Sequence, residues 1–477
     1  MKQELCAIKQ TGPMTFTLQL HTASGLVPLS CFEVVRCLPG KRLACLAEWQ
    51  GRTVFAKLFV DRRRAKVHWQ REKKGCRALL DRGIAAPALV HSGRLDNDEG
   101  YVLLLEYIPD GRSVLECWQT ESDVERLDLL FELTDVLAGH HSQGIVQNDL
   151  HLDNFLCAQG RIYTLDGADI ASVRKSLPKK TALKNLALFL AQLPTADEQS
   201  IDAIYRHYAA ARGWRGDAPG DRKRLHAYVV QKQKQRKQHL FKRIFRECRD
   251  FSCRSSWRTF MVYDKAYAST ALKTLLEDPD RAIESGEPLK LGNTATLVRV
   301  AIDDRAFVIK RYNIKNRRHA VKRAFRSTRA AVSWRNAHRL LFYGIATPRP
   351  VALIEKRFGP IRRTAYFITE HIAGIDCRTF FTDSAADDRR NERIAEQVAA
   401  LLKKLYRHSI SHGDMKATNF LIGDDAVFLI DLDAMKEHRF LFGFRRCRRR
   451  DMMRFFKNWE ATPAVADLFR RLLSDYC

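Results

Sequence analysis

One arrangement of side chains occurs twice in this chain. VQNDLHLDNFL is followed by YTLDGAD in the first half, and SHGDMKATNFL is followed by FLIDLDA in the second. Asp149 stands five residues before Asn154 and seventeen before Asp166, while Asp414 stands five before Asn419 and seventeen before Asp431. The two copies are separated by a constant offset of 265 residues. A spacing repeated at this length demands two frames of the same topology, which constrains the fold more than composition does. The last Asp of each trio follows a strand-like run, RIYTL or AVFLI, so each trio reads as loop residues held by a β-hairpin.

Asp, Asn and Asp at this spacing are the layout of a kinase catalytic loop and its metal-binding Asp. Phosphoryl transfer from ATP needs an acceptor hydroxyl aligned with the γ-phosphate and magnesium to neutralise the phosphate oxygens. The first Asp of each trio can accept or orient the hydroxyl proton, which makes Asp149 and Asp414 the candidate catalytic bases. An amide and a carboxylate offer hard oxygen ligands, so Asn154, Asp166, Asn419 and Asp431 are candidate ligands for Mg2+. The competing interpretation is a turn carboxylate, a turn amide and a strand-end Asp without chemistry, and duplication weighs against it.

The repeat extends upstream. VFAKLF sets Lys57 in an alternating apolar strand and AFVIKRY sets Lys310 likewise, where a kinase lysine grips the α- and β-phosphates. Glu72, fifteen residues after Lys57 on a predicted helix, is a candidate ion-pair partner. Gly83-Ile84 and Gly344-Ile345 match at an offset of 261, which puts Ser333 where Glu72 stands, so the second half needs another acid or holds its lysine differently. Glu106 and Glu370 end apolar strands, where a nucleotide hinge would lie. Gly40 and Gly292 each offer one glycine for a phosphate-covering loop, and neither sits in GxGxxG. DGA and DLD replace DFG and no APE follows, which argues against regulation of the eukaryotic protein-kinase type. Gln147 and His412 differ two residues before the bases, a position that bears on loop packing; His141 and His408 read as structural histidines. The fold class expected is α+β: two tandem protein-kinase-like bilobal domains, 1–248 and 249–477, each with a small β-rich N-lobe and a larger α-helical C-lobe.

Among the 477 residues, 82 are basic and 55 acidic, a net charge of +27 that favours polyanionic partners. The basic residues gather at 62–66, 232–246, 315–329 and 444–450, and each cluster can equally be a solvated helix face. No RRM, KH or zinc-finger signature accompanies the charge, so nucleic acid ranks last among partners. No apolar run is long enough to span a bilayer, and the first ten residues lack the apolar core of a secretory signal, so a cytoplasmic location is expected. The twelve cysteines show no paired CxxC spacing; reduced thiols are favoured over a zinc site at Cys248 and Cys253.

WRNAHRLLFYGIATPRPVAL, HGDMKATNFL, LIDLDAM and RRDMMRFFKNW resemble the Kdo/WaaP lipopolysaccharide core kinase family. HSQGIVQNDLHLDNFL and YTLDGADI resemble a more distant member, so the resemblance spans nearly the whole chain in two copies. It implies an alcohol-group phosphotransferase that uses ATP and Mg2+ on a heptose or Kdo hydroxyl of the lipopolysaccharide inner core. By motif, Asp149 and Asp414 would be bases, Lys57 and Lys310 phosphate lysines, and Asn154, Asp166, Asn419 and Asp431 magnesium ligands. It also implies peripheral binding to the anionic cytoplasmic face of the inner membrane. KQHLFKRIFR, with Leu240, Phe241, Ile244 and Phe245, is the candidate interfacial helix, unless it packs into a core with a wet basic face. Two alternatives stay open: one or both halves are pseudokinases serving as scaffold or nucleotide sensor, or the chain is a protein or small-molecule kinase.

Overall fold

The computed structural model describes residues 5, 8, 11–96, 100–193, 198–214, 218–292, 294–313, 327–383, 388–424 and 426–474. Most of the basic cluster at 315–329 lies outside them. The chain is mixed α+β and divides into two compact units, Met1–Gln233 and Lys234–Cys477. The division falls inside the helix Pro219–Arg243, ahead of the expected boundary at 248/249. The reason is packing: Ile244 is buried in the second unit's core, Leu240, Phe241 and Phe245 lie against it, and Trp334 Nε1 donates to the Ile244 carbonyl at 2.8 Å. KQHLFKRIFR is therefore a core-packed helix end, and its apolar residues offer no free face to a bilayer.

In the first unit a six-stranded antiparallel sheet runs in the order Gly12–Thr22, Gly25–Leu38, Arg42–Trp49, Arg52–Phe59, Tyr101–Glu106, Leu89–Arg94. Alternation dictates its faces: Val54, Ala56 and Leu58 of Arg52–Phe59 turn into the sheet's core while Phe55 and Lys57 take the other side. The helix Ala65–Leu80 opens on an Asx-type turn, Asp61 Oδ1 accepting from the amides of Arg63 and Arg64 at 2.8 Å. It closes on Gly83 at φ 66°, with Ile84 N bonded to Leu79 O and Gly83 N to Leu80 O, a left-handed cap that favours glycine. Beyond the sheet come the helices Asp123–Ser142, Lys179–Leu190 and Glu198–Ala211 around Leu133, Leu137, Phe155, Phe189 and Tyr208. Between them the hairpin Phe155–Ala158/Arg161–Thr164 follows Asn154 and precedes Asp166.

In the second unit the sheet has seven strands, in the order Phe251–Ser255, Thr259–Asp264, Pro350–Phe358, Ile361–Glu370, Arg305–Tyr312, Ala295–Ile302, Glu287–Leu291. The helix Arg329–Phe342, capped by Thr328, ends on Gly344 at φ 64° with Ile345 N on Leu340 O, the same cap as at Gly83. That shared cap is the physical content of the repeated Gly-Ile dipeptide. The helices Asp388–Arg407, Leu441–Lys457 and Pro463–Leu472 surround an aromatic core of Trp334, Phe420, Phe455, Trp459 and Phe469. The hairpin Phe420–Gly423/Ala426–Leu429 carries Asn419 and Asp431 at its two ends. No described helix is long and apolar enough to cross a membrane.

Candidate active site

In the first unit a cavity of about 580 Å³ is lined by Lys57, Glu106, Asn154 and Asp166 among others, a size suited to a cofactor or nucleotide. Lys57 Nζ donates to Glu72 Oε1, a fully buried carboxylate, and stands 3.9 Å from Asp166 Oδ1. Burial disfavours the Lys57 ammonium, but the charges of Glu72 and Asp166 outweigh it and leave its pKa raised. Burial likewise pushes Glu72 up against the pull of Lys57. Arg42 adds a second cation, 3.6 Å from Glu72 Oε2. Asp166 is held below the carboxylate range: burial opposes this, while Lys57 and the Ala168 amide at 3.1 Å favour the charged form.

A pair of glycines brings the Glu72 helix onto the Asp166 turn. A Cβ on Gly75 would lie 1.8 Å from the Gly167 carbonyl oxygen, and one on Gly167 would lie 2.6 Å from the Glu72 carbonyl. Gly167 N also donates to Glu72 Oε1 at 3.3 Å. The DGA sequence is thus a close-packing requirement at this helix.

In the second unit a cavity of about 580 Å³ is lined by Gly292, Lys310, Glu370, Asn419 and Asp431, with Arg329 at its wall. Among the described residues no carboxylate of the helix Arg329–Phe342 reaches Lys310. Ser333 is buried and its hydroxyl meets Tyr312 Oη at 2.8 Å. Lys310 Nζ instead donates to Asp431 Oδ1 and stands 3.7 Å from Asp433 Oδ2, which also holds Arg329 at 2.6 Å. Burial lowers Lys310 and is outweighed by Tyr312, Asp431 and Asp433, so its pKa is raised; Asp431 is lowered, burial yielding to Lys310. Asp431 takes φ 60°, a left-handed conformation that Asp tolerates better than most residues. The turn after it is fixed by Asn336, whose Nδ2 donates to Leu432 O at 2.8 Å and Met435 O at 3.1 Å. Asn336 occupies the place of Gly75 at the 261 offset, so a hydrogen-bonding side chain replaces a direct backbone contact.

The amides of both trios are oriented alike. Asn154 Nδ2 donates to Asp149 O at 2.7 Å and Asn419 Nδ2 to Asp414 O at 2.7 Å. With the nitrogen so engaged, Oδ1 is the atom left for a ligand. Among the described residues no cluster of three or more His, Cys, Asp or Glu side chains could hold a metal. One amide and one carboxylate fit Mg2+ that completes its octahedron with water and phosphate oxygens. Cys248 and Cys253 bond backbone carbonyls through Sγ, and the described cysteines are free.

The loops themselves are braced differently. Asp451 accepts from His412 N at 2.7 Å and Gly413 N at 3.0 Å, and His412 Nε2 meets Ile430 O at 3.0 Å. In the first unit Asn185 stands there, donating to Gln147 O at 2.8 Å and meeting His141 Nε2 at 2.9 Å. Burial lowers His141 to about 4, and the buried Gln147 amide has no hydrogen-bond partner among the described residues. Burial also lowers His408, stacked on Tyr343 at 3.8 Å, to about 4. Asp149 meets His151 at 3.0 Å, whereas Asp414 meets Arg454 at 2.8 Å and Lys416 at 3.0 Å. At the expected hinges, Glu106 Oε2 accepts from Ala88 N at 3.2 Å and Glu370 Oε1 from Tyr267 Oη at 2.8 Å. Gly40 sits at φ 68° in the turn before Arg42–Trp49 and does not line the first cavity.

Sequence reasoning missed Arg42, Arg329, Asn336, Asp433, Asp451 and Arg454. Asp433 was visible as the second acid of DLD; the others act across long sequence separations with no spacing signal.

The profile of the Lipopolysaccharide kinase (Kdo/WaaP) family matches residues 274–476, most of the second unit. A comparison of the chain with curated proteins finds no match. The family match supports a phosphotransferase and, with it, use of ATP.

Proposed function

We propose that the chain comprises two tandem protein-kinase-like bilobal domains and phosphorylates a heptose or Kdo hydroxyl of the lipopolysaccharide inner core, using ATP and Mg2+. The observation that carries this reading is the convergence of Lys310, Asn419 and Asp431 on one cavity, inside the segment that resembles a kinase family. Lys57 and Lys310 hold the α- and β-phosphates. Glu106 and Glu370 stand at the hinge end of each cavity, and Glu72 fixes Lys57. Asn154 with Asp166, and Asn419 with Asp431, are the ligands for Mg2+, which when bound neutralises charge on the triphosphate oxygens. Asp149 and Asp414 take the acceptor proton as the sugar oxygen bonds to the γ-phosphorus and the bond to the bridging oxygen breaks, releasing ADP. Arg454 and Lys416 orient the Asp414 carboxylate from two sides.

The test is γ-phosphate transfer to purified core acceptor by Asp149→Asn and Asp414→Asn separately. Removal of a working base lowers kcat by about 10²- to 10⁴-fold. Loss in one variant alone assigns turnover to that unit and leaves the other as scaffold or nucleotide sensor; loss in neither refutes the assignment. Core oligosaccharide from cells lacking the chain should be lighter by one or two phosphates in mass spectrometry.

A further inference from the structure

Among the described residues of the second unit, the longest run of exposed large apolar side chains lies where the helix Leu441–Lys457 begins. Phe440 is 72% exposed, Leu441 64%, Phe442 86%, and Met453 65%. Phe442, Arg446, Arg449 and Met453 follow one another at helical spacing and are all exposed, so they share one face. The opposite face carries Phe444, Met452 and Phe455, which are buried in the unit's core and fix the helix in place. Arg439, Arg445, Arg446, Arg449 and Arg450 surround the apolar residues and are exposed, and no acidic residue interrupts the run from Arg439 to Arg450. Arg439 lies over the Phe440 ring at 5.6 Å.

A soluble surface gains nothing from two phenylalanines, a leucine and a methionine standing in water. Apolar side chains ringed by arginines match one environment, the boundary between acyl chains and anionic headgroups, where the rings enter the hydrocarbon edge and the guanidinium groups meet phosphate. A nucleic acid would explain the arginines and not the aliphatic Leu441 and Met453. The far end of the same helix holds the candidate catalytic loop, through Asp451 on His412 and Gly413 and Arg454 on Asp414. Phe442 and Arg454 are about 18 Å apart along the helix axis.

We propose that Phe440, Leu441, Phe442 and the arginines beside them dock the second unit on an anionic lipid bilayer, with Asp414 at a fixed depth above it. This rests on the proposed lipid-linked acceptor for its purpose, but it is tested without nucleotide or acceptor. The full chain is floated with vesicles of phosphatidylcholine alone and of phosphatidylcholine mixed with phosphatidylglycerol. Wild type should float with the anionic vesicles, release as salt is raised, and bind neutral ones weakly. The triple variant Phe440→Ser, Leu441→Ser, Phe442→Ser should lose about 10- to 100-fold in partitioning. Its thermal unfolding should match wild type, and so should its transfer to acceptor freed of lipid. Equal flotation of variant and wild type, flotation of neither, or equal affinity of wild type for neutral vesicles overturns the proposal. So does a wild type that self-associates without binding vesicles while the variant is monomeric, which would assign the patch to a second copy. Failure of all phosphate transfer with vesicle binding intact would instead count against the proposed function alone.

Discussion

The two units surround their strand lysine with different chemistry. In the first, Glu72 reaches Lys57 from a helix, is wholly buried, and shares the space with Arg42 and Asp166. In the second, the helix position is Ser333, tied to Tyr312, and the carboxylates come from the acidic turn itself, Asp431 and Asp433, with Arg329 as the extra cation. Each site keeps a lysine, two carboxylates and an arginine, so the charge inventory is conserved while its sources move. The Asn and the second Asp of each trio flank a hairpin in both units, and that spacing is unchanged by the exchange. The difference also appears in the backbone, since Asp431 is left-handed and Asp166 is not among the residues with positive φ.

The sharpest way to break the comparison is to remove each lysine. Lys57→Met takes the nearest cation from the wholly buried Glu72 and leaves it Arg42 at 3.6 Å, and the full chain should lose roughly 3 kcal/mol in denaturant titration. Lys310→Met should cost about 1 kcal/mol, because Asp431 is 35% exposed and solvent-screened and Arg329 still holds Asp433. The pH dependence separates the two further. Glu72 already has a raised pKa from burial, and without Lys57 it rises more, so the neutral form takes over and the Lys57→Met deficit shrinks on acidification from above the ordinary carboxylate range. Asp431 has a lowered pKa, so its contribution is complete above the unfolded value and is lost only as pH falls through the folded one. The Lys310→Met deficit should therefore persist down to about pH 4 and close below it. Equal deficits with one shared pH window would show that the two lysines are held alike.

Next in size are the devices that pin the acidic turns. Gly75→Ala drives a Cβ into the Gly167 carbonyl, backbone against backbone. It should cost about 1–3 kcal/mol and weaken nucleotide binding in the first unit. Asn336→Ala takes the side-chain donor from the Met435 carbonyl and leaves the Leu432 carbonyl only the Met435 amide at 3.3 Å, and should cost about 1–3 kcal/mol, confined to the second unit. Nucleotide titration that reports the same unit for both variants would sink the equivalence of Gly75 and Asn336.

These contrasts also mark what could be read from residue order. Asn154 with Asp166, and Asn419 with Asp431, were legible as neighbours because one hairpin joins each pair; Asp149 and Asp414 are not among the residues that line the two cavities. Lys57, Lys310 and Glu72 were legible because strand and helix periodicity orients them before any tertiary contact forms. Asp433 was harder, since its reach to Lys310 depends on the 3-10 turn Leu432–Ala434 and the left-handed Asp431. KQHLFKRIFR left both readings open for a physical reason: an amphipathic face destined for a core and one destined for lipid have the same periodicity. Burial alone separates them, and it placed Phe241 and Ile244 against a core while leaving Phe440 and Phe442 in water.

The smallest effect on stability is expected beside Asp149 and Asp414, the proposed bases. Arg454 bridges the Gly413 carbonyl at 2.9 Å and Asp414 Oδ1 at 2.8 Å, and half of its side chain is exposed. Arg454→Gln should change stability by less than about 1 kcal/mol, the usual yield of an exposed ion pair. Asp451 still holds the backbone of His412 and Gly413, so the loop keeps its course. What changes is the direction of the Asp414 carboxylate, which Lys416 alone would then hold on a flexible stem. A misaimed base slows proton removal and leaves nucleotide binding untouched, so kcat should fall about 10-fold with KM for ATP unchanged. Both bonds leave one nitrogen, Nη1, so Arg454→Lys restores the charge but not the planar group that aims that nitrogen at two acceptors, and should recover only part of the rate. In the first unit His151→Ala removes the ion-pair partner that Asp149 has among the described residues, and an equal loss of kcat there would mean that a one-sided contact positions a base as well as a bridging arginine does.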